Sequence, residues 1–107
     1  MSENYFPAQR IRLGDTVFPS KSMARQTLRS LLYSRPELHA MGDSYELPEE
    51  WLPAMLDVIA LNPSASRIPR EDVAKVLIRV CDRKGHLQFC YLLKNSDVPI
   101  PFSYRVF

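Results

Sequence analysis

Two cysteines, two histidines and three glycines are all that 107 residues supply of the side chains most used for metal ligation, catalysis and tight phosphate loops. Cys81 and Cys90 form no CxxC and no Cys/His cluster, so no zinc site is expected. They make no disulfide framework either. In the strand register derived below they share a face but lie four residues apart along it. At ~3.3 Å per residue that is ~13 Å, beyond the reach of a bridge. Reduced thiols in a cytoplasmic setting follow. Three glycines leave no room for a glycine-rich phosphate loop. No apolar run approaches the ~20 residues that span a membrane. The first residues carry no basic stretch leading into an apolar one, so neither an anchor nor a secretory signal is expected.

The catalytic inventory is equally thin. His39 falls in a loop and His86 opens a strand, and neither has a Ser or Cys nucleophile at a motif spacing. Glu49 and Glu50 are adjacent, and i,i+1 side chains do not converge on a helix. Both suit a first helical turn, where the dipole favours acids. The chain is therefore read as non-enzymatic, with no cofactor and no metal.

What is present is an ordinary globular composition, 46% hydrophobic and 24% charged, enough for a core without staples. A net charge of +2 conceals segregation. Residues 1–35 carry six basic and two acidic groups, and residues 36–66 carry six acids with no Lys or Arg. Residues 67–107 carry eight basic and four acidic groups. Such alternation argues against a uniform polyanion coat and permits a local basic patch.

Along the chain, residues 1–9 read as a loose leader and residues 10–107 as a single domain. Residues 10–13 and 16–18 flank Gly14-Asp15, a short hairpin signal. Ser20 is placed to cap a helix beginning at Lys21, with Ala24, Leu28, Leu31 and Leu32 as its buried stripe. Lys21, Arg25 and Arg29 repeat every four residues beside that stripe. They are either a phosphate-contacting ridge or the wet flank of an amphipathic helix. Arg35-Pro36 ends that helix. Residues 36–48 read as a polar loop. A second helix is expected over residues 49–61, terminated by Asn62-Pro63.

Three strands follow, over residues 74–81, 86–94 and 100–106, the first two joined by a turn at 82–85. Alternation puts Ala74, Val76, Ile78, Val80, Leu87, Phe89, Tyr91 and Leu93 on one face, extended by Phe102, Tyr104 and Val106. The other face holds Lys75, Arg79, His86, Gln88, Lys94, Ser103 and Arg105, basic and without an acid. Leu77, Cys90 and Leu92 lie among them. The expected fold is α+β, an antiparallel sheet of three C-terminal strands plus a short N-terminal hairpin, packed against two helices. Tyr5, Phe6, Tyr33 and Tyr45 fall in loops or ends, free either to pack or to stack on nucleic-acid bases.

The segments 13–21, Leu-Gly-Asp-Thr-Val-Phe-Pro-Ser-Lys, with Arg29 and Leu32 after them, and Phe102-Ser-Tyr-Arg105, separated from Lys94 by the seven residues 95–101, together resemble the small domain typified by the plant DCL ("defective chloroplasts and leaves") protein. The resemblance covers about residues 11–106. In that family a His-Pro stands where this chain has Asn62-Pro63, and a Cys often follows Phe-Ser-Tyr-Arg where Phe107 stands here. Plant members are linked to maturation of chloroplast ribosomal RNA. A similar domain lies in the tail of plant-specific RNA polymerase subunits, and stand-alone forms occur in bacteria and phages. The resemblance thus implies a stand-alone RNA-processing or transcription accessory.

Two functional expectations follow. One is an RNA-associated module in which Lys75, Arg79, Lys94 and Arg105, with Lys21, Arg25 and Arg29, contact phosphates. The other is a protein-interaction module for a nuclease, ribosomal protein or polymerase subunit, with Leu77, Cys90 and Leu92 as an apolar centre in a polar rim. A membrane partner is not expected.

Overall fold

The computed structural model describes residues 10–65 and 67–107. The leader read over residues 1–9, with Tyr5 and Phe6, lies outside them. The first element is a hairpin, β1 Ile11–Leu13 against β2 Thr16–Phe18, with Arg12 opposite Val17. Gly14 opens the two-residue turn at φ +60°, a left-handed conformation that favours glycine. A Cβ there would also meet the backbone N of Ala54 at 2.8 Å. Glycine is thus required twice, once by the turn and once by the helix pressed against it.

Ser20 caps α1, Lys21–Leu32, its hydroxyl accepting from the Met23 N–H at 3.1 Å. Ala24, Leu28 and Leu32 are fully buried, while Leu31 is half-buried. The helix stops before Arg35-Pro36. Ser34 turns both its N–H and its hydroxyl onto the Leu31 carbonyl, closing the last turn early.

Within the segment expected to be loop lies a strand, β3 Ser44–Glu46, antiparallel to the next long strand. Its sequence, Ser-Tyr-Glu, is too short and too polar for alternation to register. A 3₁₀ turn over Glu49–Trp51 leads into α2, Leu52–Ala60, with Pro53 in its first turn where no N–H partner is lost. No helix among the described residues is long and apolar enough to cross a membrane.

The main sheet has four strands, not three, in the order β3-β4-β5-β6. β4 is Val73–Val80, β5 Leu87–Leu93 and β6 Ile100–Phe102. The β4–β5 register matches the expected one, Arg79 opposite Gln88 and Ile78 opposite Phe89. A bulge between Val73 and Lys75 corrects one face assignment. Ala74 is exposed, and Val73 takes its place in the core. β6 stops at Phe102 instead of running to residue 106. Pro101 is tolerated because β6 is an edge strand.

One apolar cluster joins these elements. α2 packs on β1 and β4, and α1 packs on β2 and β5. Phe89, Tyr91 and Phe102 form its aromatic centre, with Phe102 6.0 Å from each of the other two rings.

Candidate nucleic-acid interface

The site is assembled by the buried side chain of Asn62, just past α2. Its Nδ2 donates to the carbonyls of Val58 (2.9 Å) and Ser103 (3.0 Å). Its Oδ1 accepts the Ser103 N–H at 3.0 Å. One side-chain amide therefore takes both backbone groups of Ser103 and ends β6 there. The Ser103 hydroxyl then accepts the Arg105 N–H at 3.0 Å, turning the chain again. Tyr104 lands edge-on against Phe89, ring centroids 5.9 Å apart.

These turns carry Arg105 off the sheet and onto α1. Arg25 and Arg29, one turn apart on the exposed side of α1, line an open groove of about 430 Å³ together with Ser22, Gln26, Tyr104 and Arg105. The Arg29 guanidinium lies 5.8 Å from the centre of the Tyr33 ring, and that of Arg105 lies 5.6 Å from the centre of the Tyr104 ring. Hydrogen bonding to the Tyr104 side chain, with a further contribution from Tyr33, raises the Arg105 pKa above its ordinary value. None of the three arginines joins an ion pair among the described residues.

A second open groove of about 400 Å³ adjoins the first and shares Tyr104 and Arg105 with it. Leu32, Leu87 and Phe102 contribute apolar surface, while Tyr33, Gln88 and Ser64 contribute aromatic and polar groups. No described carboxylate lines either groove.

The seven basic residues singled out in the sequence thus divide. Arg25, Arg29 and Arg105 converge. Lys21 stands one turn before Arg25 on the same helix but lines neither groove. Lys75 is ion-paired with Glu46 at 2.9 Å, so the open sheet face is not free of acid. The acid comes from β3, the strand that the sequence did not reveal. Arg79 is half-buried between Ser44 and Gln88 on the neighbouring strands. Lys94 lies past the end of β5, where its N–H donates to the Asp72 carbonyl at 2.9 Å. Arg105 leaves the sheet-face group because β6 ends early.

On that same face Leu77 and Cys90 are only 7% and 2% exposed, and Leu92 is half-buried. Burial pushes the Cys90 thiol pKa up, which keeps it protonated and unreactive. Tyr45 lies in β3 with the Arg35 guanidinium 3.7 Å over its ring.

The histidines serve local turns. His86 Nδ1 lies 2.6 Å from Asp82 Oδ2 across the β4–β5 turn, and His39 Nδ1 lies 2.8 Å from the Glu37 carbonyl oxygen. No group of His, Cys, Asp or Glu among the described residues is arranged to hold a metal ion.

Two tyrosines complete the site: Tyr33, expected to be free to stack or to pack, and Tyr104, expected in the core. Tyr33 carried a usable signal, since it follows Arg29 by four residues and such pairs face one another on a helix. Tyr104 carried none, because strand alternation assigned it to the core. No protein-family model, curated protein or solved structure matches this chain.

Proposed function

We propose that this chain is a non-enzymatic RNA-associated module that grips phosphates through Arg25, Arg29 and Arg105. The observation that carries this reading is their convergence, from a helix and from the segment after β6, on a groove without a described carboxylate. Guanidinium groups bind phosphate oxygens through paired N–H donors, and their charge survives any physiological pH. Contacts of this kind bind without strong sequence preference and weaken with salt. The DCL-like segments fit the reading, since Ser103, Tyr104 and Arg105 of the closing motif build the groove wall. An accessory role in RNA maturation or transcription machinery is the setting that the resemblance implies. Docking of a protein partner on Leu77, Cys90 and Leu92 has less support, because two of those three side chains are already covered.

Fluorescence anisotropy with a structured RNA over a salt series tests the proposal. Three neutralised phosphates should give a log–log slope of roughly −2 to −3. The Arg29→Glu, Arg105→Glu double variant should lose binding while keeping its thermal midpoint. Wild-type affinity in that variant would overturn the assignment.

A further inference from the structure

We infer that the RNA is engaged as a single strand, with an unpaired base seated in the groove beside the arginines. The inference rests on the RNA reading above and specifies the form of the ligand. The two grooves form one surface, because Tyr104 and Arg105 wall both. One half is cationic and the other is mixed apolar and polar. A nucleotide has the same division, an anionic phosphate joined to a flat, largely apolar base with polar edges.

The second groove suits the base. Its volume of about 400 Å³ lies within the usual range of small-molecule sites. Tyr33 stands at its wall with 57% of its surface exposed, an aromatic face available for stacking. Gln88 is exposed and Ser64 lies nearby, both able to hydrogen-bond a base edge.

An RNA duplex cannot use both halves together. Its phosphates face outward, but its bases are stacked and paired within, and its deep major groove closes them to side chains. Only an unpaired nucleotide reaches the arginines with its phosphate and the Tyr33 groove with its base. The electrostatic half alone would accept either form.

The test is anisotropy of the full chain with a labelled ten-nucleotide RNA, alone and annealed to its complement, at one fixed ionic strength. The single strand is expected to bind at least tenfold more tightly. Tyr33→Ala should weaken single-strand binding about 5- to 100-fold and duplex binding by a much smaller factor. Tyr33 is exposed, so folding should persist, and circular dichroism checks this. Gln88→Ala, also at an exposed position, gives an independent second probe of the groove and should weaken the single strand alone. Equal affinity for both forms, or no effect of either variant while the arginine reversals still abolish binding, would overturn the inference and leave the RNA reading standing. Absence of binding to either form would overturn both.

Discussion

The side-chain amide of Asn62 pairs with the backbone of Ser103 as a neighbouring strand would, donating to its carbonyl and accepting from its N–H at 3.0 Å each. The two residues lie 41 positions apart and belong to two elements, Asn-Pro and Phe-Ser-Tyr-Arg, that stand far from one another in the sequence. Their contact explains why β6 ends where it does and why Arg105 faces α1. Asn62→Ala leaves both Ser103 groups and the Val58 carbonyl without this partner. The expected loss is about 2–4 kcal/mol in urea denaturation, with weaker RNA binding in the folded fraction because Arg105 loses its support.

Asn62→Asp asks more of the same position. The acceptor for the Ser103 N–H survives, but the donors disappear and a carboxylate faces two carbonyl oxygens in a buried site. Burial and those carbonyls should raise the introduced carboxyl's folded pKa above its unfolded value. Stability should then fall as pH rises through the folded pKa and recover in acid. Urea midpoints at pH 5 and pH 8 measure it, and a flat profile would show that the site opens to water.

Gly14→Ala should be among the costlier single-methyl changes in the chain. The residue sits at φ +60°, and the new Cβ would lie 2.8 Å from the Ala54 nitrogen and 3.0 Å from the Pro53 Cβ. Strain alone costs about 1–2 kcal/mol, and the clash with helix backbone adds to it. The Gly14 N–H donates to Asp57 Oδ2 at 2.7 Å, while Asp57 Oδ1 takes the Arg70 guanidinium at 2.6 Å. A displaced turn would therefore loosen the attachment of the hairpin to α2. A loss of at least 2 kcal/mol is expected, read as a lower thermal midpoint.

Acid should weaken two turns of the protein. Backbone N–H groups of Ala40 and His39 hold Asp43 below its ordinary value of 3.8, and His86, through its side chain first, does the same for Asp82. Because both folded pKa values are depressed, their contribution is complete above the ordinary carboxylate range. It is lost as pH falls through the lower folded values. Asp43→Asn and Asp82→Asn should each flatten the decline in stability below pH 4 without steepening it near neutrality. Thermal midpoints across pH 2–7 report this.

The basic residues outside the groove provide the contrast for the RNA proposal. Arg79→Glu and Lys94→Glu should change affinity less than twofold, whereas Arg25→Glu and Arg29→Glu should each weaken it at least fivefold. Each groove arginine removed should also reduce the salt slope by about 0.7 to 0.9. An Arg79 effect equal to that of Arg29 would return the binding surface to the sheet face.

Several elements were legible from residues alone. Ser20 announced α1, Gly14-Asp15 announced the hairpin, and alternation across residues 76–93 fixed the long pairing to the residue. β3 was not legible because three polar residues carry no period, and its strand character comes from pairing with Leu77, Ile78 and Arg79. The bulge at Ala74 escaped because either Val73 or Ala74 could have filled the core position, and packing chose the larger. Arg25 and Arg29 could be read as one ridge. Their meeting with Arg105 depended on a bond between residues 62 and 103, a pairing with no local sequence signature.

The arrangement of strands also bears on self-association. The two long strands, β4 and β5, are interior, each paired on both sides for part of its length. The two outermost strands have three residues each, and one contains Pro101, which has no N–H to offer. A second molecule approaching the sheet laterally finds too short a ladder to extend. Loss of β3 would change this by baring much of the outer edge of the eight-residue β4. Short, plain Ser-Tyr-Glu would then matter most as a guard against filament growth.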